Sequence, residues 1–149
     1  MLLILQAAQF VATLGCAVFA GAAIYISAVE HPARMRFDTK TAAALWAPSY
    51  QRATLMQAPL AVASALAGVA AWLLGGGAAW RAGAVLIGGV VPFTLIVIKP
   101  TNARLLAPGR DLASQETRSL LDKWGKLHAV RTGASAVASV IFVAALLRG

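Results

Sequence analysis

Trp124, His128 and Arg131 stand at i, i+4 and i+7 at the start of the last apolar run of this chain. On a helix they share one face. The residue types carry chemistry. A neutral imidazole takes a proton near neutral pH. A guanidinium at membrane depth needs a carboxylate, a carbonyl or an anionic ligand oxygen. Glu30 is the expected protein partner for Arg131. His31, the second of only two histidines, follows Glu30 and precedes Pro32 where the first apolar run ends. It reads either as an interfacial side chain or as a general base. His31, His128 and Glu30 together offer two nitrogens and a carboxylate. A metal, or a haem held by both histidines, is therefore open at this point, although no spacing is specific for either.

Further polar and aromatic groups fall at the same boundary. Arg34, Trp46, Tyr50, Arg52, Thr101 and Asn102 all lie near the ends of apolar runs. Arg34 and Arg52 read as snorkelling side chains or as ligand contacts. Trp46 and Trp124 read as interfacial belt residues or as stacking surfaces for a flat ligand. Trp72 and Trp80 read as belt residues at the opposite boundary. Asn102 either caps a short helix or donates to a substrate carbonyl. The lone cysteine, Cys16, lies inside an apolar run and reads as packing. It permits no intramolecular disulfide and no cysteine metal cluster.

The elements that must position these groups follow from composition. Apolar residues make up 60% of 149, and charged residues only 12%, against about 25% charged in soluble chains. That marks an integral membrane protein, all-α, with one transmembrane domain over residues 1–149. The net charge of +8 does not point to nucleic acid, because the basic residues concentrate between apolar runs. Four spans are expected, roughly at 6–29, 53–74, 82–98 and 127–147, with the last helix starting earlier, near Ser119, and each approaches the ~20 residues that cross a bilayer. Backbone pairing in lipid then requires helices. The first run lacks the basic leader and short core of a cleaved signal, so it reads as a retained span. Ala and Gly within the spans predict one tightly packed four-helix bundle.

Lys and Arg crowd the stretches between spans one and two and between spans three and four, with only Arg81 and Arg148 on the other side. The positive-inside rule places those two basic loops in the cytoplasm and both termini outside. Asp111–Asp122 and Thr39–Trp46 read as amphipathic segments lying on the membrane and roofing the site. A short internal repeat also appears. Each half reads as helix, Pro, basic stretch, Trp, ring-bearing polar residue, Arg, helix, as in parallel repeats about the membrane normal.

The motifs His31-Pro32-Ala33-Arg34, Trp46 to Arg52, Pro100 to Leu105 and Trp124 to Arg131 occur in this order at span edges. In this the chain resembles the anthrone oxygenase-like (DUF1772) family of small four-helix membrane proteins. The resemblance implies a membrane monooxygenase, an oxidoreductase acting with O2 on an anthrone or another flat weak carbon acid. It implies that His128 or His31 takes a proton, that Arg131 and Asn102 stabilise the enolate-type oxygen, and that Trp46, Tyr50 and Trp124 hold the ring. The reaction runs with or without a metal. The expected partners are the lipid bilayer, a small aromatic substrate and a second copy of the chain, in the cytoplasmic (inner) membrane of a bacterium. Two alternatives stand beside it: a non-catalytic partner subunit or small-molecule carrier, and a haem or metal electron-transfer protein.

Overall fold

The computed structural model describes residues 1–148. Four long helices form it: α1 Leu2–Arg34, α2 Thr39–Gly76, α3 Ala78–Leu105 and α4 Gln115–Leu146. All four are long and apolar enough to span a membrane, and no strand occurs among the described residues. This is an integral membrane four-helix bundle. Each helix packs on its neighbour in the chain, and α1 packs also on α4, so the helices form a closed ring in sequence order.

The helices outrun the expected spans at the end that carries the basic stretches, here called the loop end. Hydropathy detects only the apolar part of a helix, and these continue into polar sequence. Thr39–Trp46 is therefore the first part of α2 rather than a separate surface piece. Its start is set by Asp38, whose carboxylate accepts from the Thr41 backbone N–H at 3.0 Å, a regular N-cap. Hydrogen bonds from Thr41 hold that carboxyl below the usual carboxylate range. The first of the two expected long loops shrinks to four residues, 35–38. In the same way Gln115–Asp122 is the beginning of α4, capped by Ser114 Oγ, which accepts from the Thr117 N–H at 3.1 Å. Leu120 and Leu121 are buried, not laid out on a surface. Arg118 donates to the carbonyls of Phe37 at 3.0 Å and Met35 at 2.5 Å, which ties the end of α1 to the start of α4.

Two core clusters fill the bundle. Towards the termini, Ala and Gly positions surround Phe19, Trp80, Ile87 and Phe142. Trp80 stacks on Phe142 with centroids 5.3 Å apart, so it is a core residue and not a belt residue. Only Trp72 is partly exposed, with Arg81 over its ring. A Cβ at Gly68 or Gly83 would overlap the Phe142 ring, so these two glycines let α2 and α3 close around it. Cys16 is buried packing, as its setting predicts. At the loop end the core is built from Trp46, Trp124, Ile98, Leu105, Leu120 and Leu121.

Prolines shape the loop end. Pro32 and Pro100 carry no N–H, and their rings collide with the carbonyl four residues back. Before each, the helix widens into a π turn, at Ile26–Glu30 and Thr94–Ile98. The His31 N–H reaches back five residues to Ile26, and the Lys99 N–H reaches back to Thr94. Both π turns begin six residues before the proline, so the two halves of the chain share this device in the same register.

Candidate functional site

Two adjoining cavities occupy the loop-end half of the bundle. The larger has a volume of about 240 Å³ and lies mainly between α2 and α3. Tyr50, Thr54, Gln57 and Ala58 line it from α2, and Thr94, Leu95, Lys99 and Asn102 from α3. Arg131 and Phe19 form its inner wall. Ala58, Leu95 and Lys99 at its rim are exposed, so it opens sideways between two helices. The smaller cavity, about 10 Å³, is lined by His128, Trp124 and Ser49 and shares Tyr50, Thr54, Gln57 and Arg131 with the larger one. It has room for about one water molecule.

The polar groups of the larger cavity are short of partners. Asn102 is 3% exposed, and neither its amide nitrogen nor its amide oxygen has a hydrogen bond. It sits within α3 and caps nothing. Arg131 donates to Gln57 Oε1 at 2.8 Å. Since guanidinium has no acceptor, this contact fixes the amide orientation. The Gln57 Nε2 donor is then left buried without a partner, as is Arg131 Nε. Orphaned polar groups cost about 1–3 kcal/mol each. Three such residues around one cavity mark a surface shaped to receive a ligand's hydrogen-bonding groups.

Arg131 also lacks a counter-charge among the described residues. Its guanidinium lies over the Phe19 ring at 5.3 Å. The expected pairing with Glu30 does not form. Glu30 is taken by Arg34, four residues on, and by Ser49, both of which donate to the same carboxylate oxygen. An i, i+4 partner on the same helix competes better than one across the bundle. No Asp or Glu lines either cavity, whereas Lys99 and Arg131 do.

An aromatic stack supports the site from the loop-end side. Tyr50 lies parallel on Trp46, with centroids 5.0 Å apart and 5° between planes. Trp46 meets Trp124 edge-on at 5.7 Å, and Trp124 stacks on His128 at 4.9 Å. Trp46 and Trp124 are 1% and 4% exposed, so they are interior surfaces and not an interfacial belt. Trp46–Tyr50 and Trp124–His128 are the same i, i+4 pairing in the two halves of the chain.

The structure brings together His128, Arg131, Asn102, Tyr50 and Trp124 around the two cavities. Trp46 supports them from behind through Tyr50. It leaves three other sequence candidates apart. Arg34 is buried against Glu30 and Ser49, in a separate groove with Phe37 and Leu45. Arg52 is exposed. His31 lines neither cavity; its ring packs on Trp124 at 5.2 Å, in space left by Gly125, where a Cβ would overlap it. Among the described residues no three of His, Cys, Asp and Glu come together. His31, His128 and Glu30 therefore do not form the metal shell that their types allowed. Sequence reasoning passed over Gln57, Thr54 and Ser27, because single polar residues within apolar runs carry no spacing signal. Only the polarity of Gln57 inside a span could have singled it out.

Fold and site define a small helical membrane protein with a laterally open, cationic, amide-lined cavity beside a buried histidine. The chain matches the anthrone oxygenase family model over residues 46–141, and it belongs to that family. The match includes Trp46, Tyr50, Gln57, Asn102, Trp124, His128 and Arg131, and begins after His31 and Arg34. No curated protein and no solved structure matches the chain.

Proposed function

We propose that this protein is a membrane oxygenase that converts the activated CH2 group of a flat aromatic carbon acid, such as an anthrone, into a ketone with O2. The observation that carries the reading is the charge and hydrogen-bond deficit of the larger cavity. A guanidinium without a carboxylate faces it, beside amide groups without partners. An enolate or phenolate oxygen answers that deficit, because it supplies the missing negative charge and accepts from Arg131 and the Gln57 amide. These donors are already in place before charge develops, as transition-state stabilisation requires. A neutral acid enters from the bilayer between α2 and α3 and ionises inside.

His128 is the base in this scheme. The C–H proton passes to its ring nitrogen, directly or through one water in the smaller cavity. The electron pair moves onto the carbonyl oxygen, held by Arg131. The carbanion carbon of the enolate then bonds to O2, which is reduced to the peroxide level, and the imidazolium returns a proton to give a hydroperoxide. Loss of the second C–H proton with O–O cleavage leaves the ketone and releases water. One CH2 and one O2 thus become one C=O and one H2O. Tyr50 and Thr54 border the substrate, and the Trp46–Trp124 stack holds Tyr50 and His128 in place.

The distribution of Lys and Arg supports a site at the cytoplasmic edge of the membrane. A small-molecule carrier would use the same cavity, and turnover separates the two readings. The test is oxygen uptake by purified protein supplied with anthrone. His128→Ala should lower kcat/KM by about 10²–10⁴, and Arg131→Leu by about 10²–10³. Arg52→Ala, on the exposed side of α2, should change it little. No uptake above the uncatalysed rate with the wild-type protein, or equal rates in all variants, would sink the proposal.

A further inference from the structure

His128 is 2% exposed, and its Nδ1 faces two hydroxyls. Ser27 Oγ lies 2.9 Å from Nδ1 and 2.8 Å from Thr132 Oγ1. Thr132 Oγ1 is in turn 3.1 Å from the carbonyls of Ala23 and His128. Carbonyls only accept, so the single Thr132 proton is committed to them. Ser27 then has one proton to give and two neighbours. If it gives that proton to Thr132, every contact in the chain is used except the long approach of Thr132 Oγ1 to Nδ1 at 3.5 Å: Nδ1–H to Ser27, Ser27 to Thr132, Thr132 to backbone. If it gives the proton to Nδ1, Thr132 must turn from the carbonyls to preserve its own contact with Ser27. The first order satisfies more groups.

We propose that Ser27 and Thr132 are positioning residues that hold His128 as the Nδ1–H tautomer and leave Nε2 as the proton acceptor. Nε2 has no hydrogen-bond partner among the described residues, and His128 lines the smaller cavity. The catalytic sense of this inference rests on the function proposed above; the proton order itself does not. Ser27 stands in the π turn that precedes Pro32. Such π turns recur at functional sites.

The experiment is 15N NMR of histidine-labelled protein in lipid, above the ordinary imidazole pKa of about 6.5. The chain has two histidines, and comparison with His31→Gln separates their signals. Wild-type His128 should show a protonated, pyrrole-type Nδ1 and a bare, pyridine-type Nε2. Thr132→Val, nearly isosteric, removes the acceptor for the Ser27 proton. That proton then turns to Nδ1, and the tautomer should invert. Ser27→Ala should give a mixture. Each variant should lose roughly tenfold or more in kcat with KM little changed, as expected when the partner that fixes a tautomer is removed. A wild-type Nε2–H tautomer, or an unchanged pattern in Thr132→Val, overturns the inference. The expected pattern in a protein without turnover would overturn the base role alone and leave the proton order standing.

Discussion

Arg131 and Asn102 show how function and stability oppose each other at single residues. Asn102 contributes two unpaired buried amide atoms to the cavity wall. Asn102→Leu removes both, so thermal stability in detergent should hold or rise, because an orphaned group no longer costs folding free energy. Affinity for an anthrone-type ligand should fall, by about 1 kcal/mol for each hydrogen bond lost. A calorimetric or fluorescence titration beside a melting curve reads both. Loss of stability together with affinity would mean that Asn102 is structural. Gln57→Leu should behave in the opposite sense. It strips Arg131 of its one protein acceptor and leaves a guanidinium unpaired in the bundle, where charge is costly. A fall of about 1–3 kcal/mol in stability is expected, and the same melting assay checks it. Glu30, by contrast, was the partner that sequence order offered Arg131. It was lost because Arg34 and Ser49 are nearer.

At the scale of elements, a proline follows the π turn that carries Ser27. Pro32 prevents regular closure of the turn before it, and the π turn at Ile26–Glu30 follows. Pro32→Ala permits the i to i−4 bond to re-form. Ser27 should then rotate away from α4, and the His128 15N pattern should move towards that of Ser27→Ala while total helicity stays the same. An unchanged pattern would separate the π turn from the proline. Glycines set the opposite limit, closeness. Gly83 faces the edge of Phe142 with no room for a Cβ. Gly83→Val should cost about 1–3 kcal/mol through overpacking, seen as a lower melting temperature. The site at the loop end should keep its ligand affinity, because Phe142 lies in the other core cluster.

For the whole molecule the matter is sidedness. We propose, from the Lys and Arg asymmetry, that the loop end lies in the cytoplasm. Cys16 is fully buried, so the natural chain should be silent to a membrane-impermeant thiol reagent. Ser114→Cys, at the loop end, should remain unlabelled in intact cells and react after lysis. Gly77→Cys between α2 and α3 has a positive φ and would strain the turn, so Ala79→Cys beside it is the better reporter and should label from outside. The reverse pattern would invert the topology and move the cavity to the other face. Every helix packs on two neighbours, and the cavity reaches the surface at the α2–α3 boundary, where Ala58, Leu95 and Lys99 are exposed.

Composition alone determined that the chain is a membrane protein of four helices. Lipid permits no other backbone arrangement for such apolar runs, and that constraint acts residue by residue. The i, i+4 pairs Trp46–Tyr50 and Trp124–His128 were equally legible, because helical spacing sets them locally. The helix bounds were not, since Asp38 and Ser114 cap helices that continue beyond their apolar parts. Tertiary structure alone decided which polar groups meet. It sent Glu30 to Arg34, His31 to the Trp124 ring, Gln57 to Arg131 and Ser27 to His128. Those outcomes depend on helix rotation and on the order of helices around the ring. A shift of one residue turns a side chain by about 100°, and no pattern within a single span records the face its neighbour presents.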